Sequence, residues 1–476
     1  MLFSSVFFIS VFLPAVLLLY YLCPSGKRNY VLLFASYFFY AWGDAEFLWV
    51  MFLSILINYA GALALDRMAP DRRTPRKLLL ALFVVLDLLP LLYFKYFNFT
   101  LRNLSACFGF EFRLRDILLP LGISFYTFQG LSYLVDVYRR DVDAQKDPLK
   151  LALYITFFPQ LIAGPILKYH EVERQIEARQ ETVDRFIYGI RRFAIGLGKK
   201  VVIANSLGYV ADLIFVTPVD MIGTSAAWGG AIAYSLQLFY DFSGYSDMAI
   251  GLGAMFGFRF PENFNYPYVS LSVTEFWRRW HISLSTWFKE YLYIPLGGNR
   301  VPRWRNLLNL LIVFLATGFW HGAEWTFVVW GLFHGFFILF EKLTGFNKPG
   351  GGVLSRLLHR GYLLFVVVIA WVIFRSESLR DSFRFIRNMF GLLETEPLHP
   401  LSFYFTHWVL IVLAVALISA AGVFRELNDR TLRYDPGSRA QKLAFVLFNA
   451  FCLFVLFLSL VLLAGKSYNP FIYFRF

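Results

Sequence analysis

Residues 317–322, Thr-Gly-Phe-Trp-His-Gly, place an imidazole between two apolar stretches of the chain. The run from Leu307 to Ala316 precedes His321, and the run from Thr326 to Phe340 follows it. Ionisable side chains at membrane depth are costly, normally face a protein interior or a water-filled cavity, and are candidates for function. Gly318 and Gly322 would let neighbouring backbones approach the ring closely. We therefore take His321 as the candidate chemical centre.

The composition of the whole chain indicates that lipid is the solvent of the fold. Of 476 residues, 58% are hydrophobic and 20% aromatic, with a mean hydropathy of +0.56. Soluble domains are roughly 45–50% apolar, so this chain has more apolar side chains than a core can hide. At about 20 residues per spanning helix, the apolar runs predict roughly 10 to 12 crossings. Because the runs are long and continuous rather than alternating, we predict an all-α polytopic membrane protein, a single domain over residues 1–476.

The net charge of +13 does not indicate nucleic-acid binding, because the basic residues fall in short loops between apolar runs. That distribution is typical of orientation by cytoplasmic Lys and Arg, and the same loops would meet anionic lipid headgroups. The expected partner is the lipid bilayer. Cys23, Cys107 and Cys452 are far apart and form no CxxC pair, which argues against a disulfide framework and a zinc site. We predict no metal and no permanently bound cofactor.

Two apolar segments, residues 120–130 and 156–165, are interrupted by prolines, glycines and hydroxyl groups. Such residues break or kink helices. Broken helices at membrane depth are tolerated where they are buried in protein or line a cavity. We expect these segments to form the wall of a central cavity, with re-entrant pieces; ordinary kinked packing helices are the alternative.

The segment from Val273 to Lys289 is amphipathic and lies beside apolar runs. Its two adjacent arginines and its tryptophans favour an interfacial or re-entrant helix over a spanning one. Three of its residues, spaced four apart, would share one face of that helix: Trp277, His281 and Ser285.

Asp241 and Asp247 are two carboxylates six residues apart among aromatic residues. Residues three or four apart share a helical face, and residues six apart do not. Both a structural role, with hydrogen-bonded carboxylates, and a role in the cavity remain open. His334, inside an apolar run, likewise has two interpretations: a functional residue, or a histidine hydrogen-bonded to a neighbouring helix.

Of the seven histidines, His281 and His321 are the candidates for chemistry. An HExxH or CxxC metal-ligand pair is absent, and so is a G-x-S-x-G nucleophile motif. What remains is a general base, or an imidazole that is itself acylated. Imidazole takes up a proton near neutral pH, and a well-placed base contributes roughly 10²–10⁴-fold to a rate.

Three motifs in this order resemble the membrane-bound O-acyltransferase superfamily: residues 276–285 (Phe-Trp-Arg-Arg-Trp-His-Ile-Ser-Leu-Ser), 293–300 (Tyr-Ile-Pro-Leu-Gly-Gly-Asn-Arg) and 317–322. The opening Met-Leu-Phe-Ser-Ser, residues 241–247 (Asp-Phe-Ser-Gly-Tyr-Ser-Asp) and residues 468–476 (Tyr-Asn-Pro-Phe-Ile-Tyr-Phe-Arg-Phe) are similar to one bacterial subfamily. That subfamily contains the alginate O-acetylation membrane protein and the D-alanine transfer protein of teichoic acids. The resemblance covers essentially the whole chain.

The resemblance implies a bundle of about eleven spanning helices, with re-entrant and amphipathic helices around a central cavity. Funnels from both faces would meet at His321, the active histidine, with His281 as the second. It further implies a multi-pass protein of the bacterial inner membrane that takes an acetyl group from cytoplasmic acetyl-CoA. An extracytoplasmic acetyltransferase partner of serine-hydrolase-like type would receive that group and modify alginate or another exported polysaccharide.

Several further residues are candidates for lining the cavity or binding the donor: Trp320, Trp277, Arg278, Arg279, Ser285, Asp241 and Asn263. Arginine suits the phosphates of a coenzyme A-like donor. Orientation in the membrane and contact with lipid headgroups is the alternative role for the arginines.

Three other functions compete with this one. The chain could acylate a lipid or another acceptor within the same superfamily. It could also be a transporter or flippase of an acyl donor, although transporter folds often show internal repeats and none is visible in the sequence. A non-catalytic scaffold that docks a partner enzyme is the third, but scaffolding does not explain a histidine between two apolar runs.

Overall fold

The computed structural model describes residues 1–423, 439–465 and 468–471 of the chain. These residues form helices and connecting loops, without a strand among them. Unit 1 comprises Met1–Ile190 and Met248–Pro261, and unit 2 comprises Arg191–Asp247 and Glu262–Phe476. The single domain over residues 1–476 stays a prediction.

Unit 1 is built from short and long helices that follow the apolar runs of the sequence. Its helices are α1 (Leu13–Leu22), α2 (Arg28–Asp44), α3 (Leu48–Arg67), α4 (Arg73–Leu91), α5 (Phe97–Phe108), α6 (Ile123–Arg139), α7 (Pro148–Thr156), α8 (Phe158–Leu161) and α9 (Tyr169–Glu177). Two helices run through both units: α10 (Val183–Gly198) and α12 (Thr224–Met255).

The two interrupted segments of unit 1 differ from each other. Residues 120–130 enter α6, which begins after Gly122 in the left-handed region (φ 73°) and continues unbroken and largely buried to Arg139. The alternative, a packing helix, describes this segment better than a broken cavity wall. Residues 156–165 are indeed broken, because α7 ends at Thr156 and the single turn α8 begins at Phe158. The Phe158 N–H donates to Ser36 Oγ at 3.0 Å, which satisfies a backbone group at the break.

Unit 2 contains the remaining helices. They are α11 (Asn205–Val216), α13 (Val273–Arg279), α14 (Ile282–Phe288), α15 (Arg303–His321), α16 (Trp325–Thr344), α17 (Val353–Arg375), α18 (Leu379–Met389), α19 (Leu401–Tyr404), α20 (His407–Ala420) and α21 (Arg439–Gly465). A π-helical turn, Lys199–Ala204, joins α10 to α11, and a second one, Lys289–Tyr293, follows α14.

The chain is a multi-pass membrane protein. Within the described residues, five helical stretches are long and apolar enough to cross a bilayer: Ser25–Arg67, Arg73–Phe108, Trp325–Thr344, Val353–Arg375 and Lys442–Gly465. Two shorter apolar helical stretches, Phe8–Leu22 and His407–Ala420, accompany them. Many of their large side chains are exposed, as expected where acyl chains rather than protein cover a helix. The count of about eleven spanning helices is not confirmed.

Helices α15 and α16 form a close-packed hairpin, and glycine allows it. A Cβ built on Gly331 would lie 3.1 Å from Gly318 Cα, and a Cβ on Gly318 would meet the Phe327 carbonyl. At Gly322 the space beside the backbone is occupied by the Phe327 ring. The two glycines that flank His321 in sequence therefore permit the close approach expected of them.

Candidate active site

His281 lies at a break between two short helices rather than on one long helix. Helix α13 ends at Arg279, His281 has left-handed backbone angles (φ 44°, ψ 55°), and α14 begins at Ile282. The prediction of a single helix from Val273 to Lys289 is wrong. The expected shared face of Trp277, His281 and Ser285 is therefore wrong too. A residue other than glycine in this region costs about 1–3 kcal/mol and persists where surrounding structure fixes it, commonly at functional sites.

Asn263 supplies the bonds that fix this break. Its backbone carbonyl accepts from Ile282 N–H at 2.9 Å, so the first residue of α14 has a partner from outside the helix. Its side-chain Oδ1 accepts from Ser283 N–H at 3.1 Å and from Ser283 Oγ at 2.9 Å. Its Nδ2 donates to Ser246 Oγ at 3.2 Å. These bonds account for the break, because they replace the helical hydrogen bonds that the chain gives up at His281.

The same asparagine orients the imidazole of His281. Asn263 Oδ1 lies 3.3 Å from His281 Nδ1. The Ser283 backbone N–H can only donate, so the atom it meets on Asn263 is the carbonyl oxygen, which can only accept. His281 Nδ1 therefore carries the proton in this hydrogen bond, and Nε2 holds the lone pair of the neutral ring. His281 is 1% exposed.

His321 is the last residue of α15, and aromatic rings pack around it. It is 8% exposed. Its ring centroid lies 4.9 Å from those of Trp320 and Trp330 and 5.3 Å from that of Phe374, in each case edge to face. The motif residue Trp320 thus packs directly on the histidine that follows it.

Trp320 also contacts His281 and so connects the two candidate histidines. The centroid separations are 5.9 Å from Trp320 to His281 and 4.9 Å from Trp320 to His321. Phe242 covers His281 from α12, with a centroid separation of 4.5 Å. Unit 2 therefore brings His281 and His321, forty residues apart in sequence, against one indole ring.

His334 lies in an aromatic cage beside this pair. It is fully buried, its ring centroid is 5.1 Å from those of Trp277 and Trp330, and both its ring nitrogens lack a hydrogen-bond partner among the described residues. The expected hydrogen bond to a neighbouring helix is therefore absent there. The candidate residue Trp277 contacts His334 and Trp330, so it supports the wall of the site rather than sharing a face with His281.

Asp241 pairs with one cation and Asp247 with two. Asp241 Oδ1 lies 2.6 Å from Lys200 Nζ, and both side chains are almost completely buried. Asp247 pairs with Arg192 and Lys199, each at 2.6 Å. These pairs favour the structural interpretation of both carboxylates.

Sequence reasoning missed the lysine partners. A signal for them was present, because Lys199 and Lys200 interrupt an apolar run, and a buried lysine almost always needs a carboxylate.

The remaining candidates have mixed surroundings. Arg279 donates to Glu275 at 2.9 Å and to the Asn265 carbonyl at 3.2 Å, so its guanidinium is engaged within the protein. Arg278, the preceding residue, is exposed. Ser285 donates a long hydrogen bond to the Trp280 carbonyl at 3.5 Å. Of the two arginines, Arg278 is better placed to meet an anionic ligand.

No cluster of three His, Cys, Asp or Glu side chains suited to a metal ion occurs in the part of the chain that the structure describes. The site instead offers two imidazoles, one with an assigned tautomer, in a cluster of tryptophan and phenylalanine rings. Such a set can accept and return protons next to apolar surface, which suits acid–base chemistry on an acyl group.

Comparison with known proteins adds an independent finding. Residues 141–349 match the family described as MBOAT, membrane-bound O-acyltransferase. The matched range includes both His281 and His321. The whole chain is 41% identical to the whole of a probable alginate O-acetylase AlgI from Azotobacter vinelandii, and 42% identical to the whole of one from Pseudomonas putida. A peptidoglycan O-acetyltransferase from Helicobacter pylori is 37% identical over 82% of this chain and 80% of its own length.

Proposed function

From the premise that this chain belongs to the membrane-bound O-acyltransferase family, we propose that it transfers acetyl groups across the membrane for O-acetylation of an exported polysaccharide. The observation that carries the proposal is the pair His281 and His321 packed against Trp320. The chain is an O-acyltransferase; the donor, the acceptor and the route across the membrane belong to the proposal.

The names of the relatives support the proposed class of acceptor. Two are named for O-acetylation of alginate and one for O-acetylation of peptidoglycan. We take the acceptor of this chain to be a polysaccharide of the same kind, outside the cytoplasm. We take the donor to be acetyl-CoA, because the thioester is made in the cytoplasm while these acceptors lie outside. An extracytoplasmic acetyltransferase of serine-hydrolase-like type would receive the acetyl group, and the chain would lie in the bacterial inner membrane.

The chemical step needs one base. In the proposed reaction, His321 removes the proton of the acceptor hydroxyl while that oxygen attacks the thioester carbonyl carbon. The C–S bond then breaks, and the leaving thiolate takes the proton back from the imidazolium, so atoms and charge balance. Because His321 ends α15, the negative end of the helix dipole stabilises the imidazolium formed in this step.

His281 has a different part in the same step. With Nδ1 donating to Asn263, its Nε2 is the basic nitrogen and can receive or relay the proton that moves at the acyl group. Asn263 is then a positioning residue, because it sets the tautomer of His281 without touching the substrate. Arg278, exposed and three residues before His281, is the candidate for a phosphate of the donor.

The decisive experiment reconstitutes the full chain in liposomes with acetyl-CoA labelled in the acetyl group. Label on a hydroxyl acceptor supplied on the opposite side, together with free coenzyme A on the donor side, is the expected result. His321→Ala should abolish the label transfer without unfolding the protein. Intact acetyl-CoA on the far side would instead identify a transporter and overturn the proposal.

The base and nucleophile versions of the reaction are separable in the same preparation. Acid quenching of a single turnover without acceptor should leave no label on the protein if His321 acts as a base. Stoichiometric label that is lost from His321→Ala would show an acylated histidine instead. The His281→Ala variant should retain any such label and slow its onward transfer.

A further inference from the structure

A carboxyl group is buried in the middle of an apolar helix of unit 1. Asp87 is 1% exposed and lies within the candidate span Arg73–Phe108. It is fourteen residues from the charged start of α4, which at 1.5 Å per residue is about 21 Å along the helix. Few other side chains of this span are buried, since only 11% of its most apolar window is buried. Asp87 points into the protein against that trend.

The partners of Asp87 come from one turn of α3. Ser54 Oγ donates to Asp87 Oδ1 at 2.8 Å, and Asn58 Nδ2 donates to the same oxygen at 3.0 Å. The second carboxyl oxygen, Oδ2, has no hydrogen-bond partner among the described residues, nor has Asn58 Oδ1. Asn58 is fully buried and Ser54 is 3% exposed. Two buried oxygens in one cluster are thus unsatisfied.

No cation balances this carboxyl group within the described part of the chain. An ionised carboxylate in such surroundings carries a penalty of several kcal/mol, and a group in that position normally becomes neutral instead. A proton on Oδ2 removes the charge and turns an unsatisfied acceptor into a donor. Asn58 Oδ1, an acceptor without a donor, is the complementary group in the same cluster.

Glu341 in unit 2 is a second buried carboxyl group, and its hydrogen bonding is the opposite of that of Asp87. It is fully buried and lies in the candidate span Trp325–Thr344. Its Oε1 accepts from Val273 N–H at 2.5 Å, and its Oε2 accepts from Thr274 N–H at 2.9 Å and Thr274 Oγ1 at 2.6 Å. Donors on both oxygens at the N-terminus of α13 are what an ionised carboxylate requires.

From this contrast we infer that Asp87 is a proton-binding site, with its carboxyl group held as the neutral acid by Ser54 and Asn58. The site lies wholly within unit 1 and does not depend on the proposed acyl transfer. It takes a proton rather than a metal ion for a geometric reason. The Asn58 amide packs on α6 so closely that a Cβ on Gly130 would lie 2.7 Å from Asn58 Cγ and Oδ1. Hard cations such as Ca²⁺ and Mg²⁺ take six or more oxygen ligands, and the side chains of Asp87, Ser54 and Asn58 offer fewer.

The test is infrared spectroscopy of the full chain in liposomes at neutral pH, where a protonated carboxyl group has its own carbonyl absorbance. Asp87→Asn should remove the absorbance of one protonated carboxyl group per chain. The matched control, Glu341→Gln, should leave that absorbance unchanged. Replacing sodium by choline in the buffer should change nothing.

Three outcomes would overturn the inference. They are an unchanged protonated-carboxyl absorbance in Asp87→Asn, its loss in Glu341→Gln alone, and its appearance only when sodium is withdrawn, which would identify a cation site. If Asp87→Asn fails to fold, Ser54→Ala provides the second measurement. Removing a donor to Oδ1 should shift the carbonyl band to higher frequency, and an unshifted band would count against the site.

Discussion

His281 lies at a turn and His321 lies in a helical hairpin, and different kinds of contact hold the two imidazole rings. At the turn, Asn263 makes polar bonds to a strained backbone and to the imidazole itself. At the hairpin, glycines bring α15 and α16 together and tryptophan rings pack around the histidine. The polar bonds at the turn assign the tautomer of His281, and the close packing at the hairpin fixes the position of the His321 ring. Substitutions at the turn should therefore lower the transfer rate, whereas substitutions at the hairpin should lower the melting temperature.

The largest effect at the turn is expected from Asn263→Ala. The substitution removes Oδ1, which accepts three hydrogen bonds. The buried donors Ser283 N–H and His281 Nδ1 then lose their acceptor. Each unsatisfied buried group costs about 1–3 kcal/mol, and release of the His281 tautomer should lower the acetyl-transfer rate by roughly 10²-fold. The measurement is kcat in liposomes beside the melting temperature. Asn263→Asp keeps an acceptor oxygen, so its acetyl-transfer rate should be well above that of Asn263→Ala, with an altered pH profile. An equal loss of rate in both variants would indicate that the role of Asn263 is only structural.

At the hairpin, Gly331→Ala should act on stability. The added methyl group meets Gly318 Cα at 3.1 Å and the Phe314 carbonyl, so the two helices must separate. Overpacking of this kind typically costs about 1–3 kcal/mol, which should appear as a lower melting temperature. Gly361→Ala, on the exposed side of α17 with nothing within 4 Å, is the control. It should be neutral or stabilising by up to about 1 kcal/mol, and an equal loss in both variants would contradict close packing at the hairpin.

His281→Gly and His281→Ala separate backbone strain from chemistry at the turn. Both remove the imidazole and should lose activity alike. Glycine accepts the left-handed angles without penalty, whereas alanine retains a strain of roughly 1–2 kcal/mol. His281→Gly should therefore melt above His281→Ala. If the alanine variant is as stable as the glycine variant, the backbone at residue 281 is not left-handed in the protein.

The smallest effect concerns a histidine away from both regions. The hydrogen bond from His170 Nδ1 to the Asp136 carboxylate, 3.0 Å long, raises the pKa of His170, while partial burial opposes this. Because the pKa of His170 is higher in the folded than in the unfolded protein, the hydrogen bond contributes fully to stability below about pH 6.5, the ordinary pKa of histidine. This contribution is lost as the pH rises through the folded-state value. The melting-temperature gap between wild type and His170→Gln should therefore narrow from pH 6 towards pH 8, and a gap that widens would contradict the contact.

Much of the fold was readable from apolar runs. The apolar stretches of the sequence at residues 30–42 and 47–65 correspond to α2 and α3, because length and hydropathy decide spanning helices. The ending from residue 468 was expected as part of a family motif, but residues 472–476 lie outside those that the structure describes.

The turn at His281 could not be predicted from the sequence, since the pattern of apolar residues across residues 273–289 fits one helix as well as two. Its break depends on Asn263, eighteen residues earlier in sequence. The pairing of Asp241 and Asp247 with their cations was missed as well. Lys199 and Lys200 stand out in an apolar run, but no local spacing encodes which carboxylate each cation meets.

We propose that His321 performs the chemistry, and its buried neighbour His334 offers a matched comparison. The most direct measurement is the single-turnover rate of acetyl transfer in liposomes for His321→Ala and His334→Phe, both normalised to folded protein. Both residues contact Trp330, at 4.9 and 5.1 Å, so they share a packing environment. We predict a loss of roughly 10²–10⁴-fold for His321→Ala and less than about tenfold for His334→Phe, which keeps an aromatic ring in the cage. Equal losses, or full activity without the imidazole of His321, would contradict the assignment.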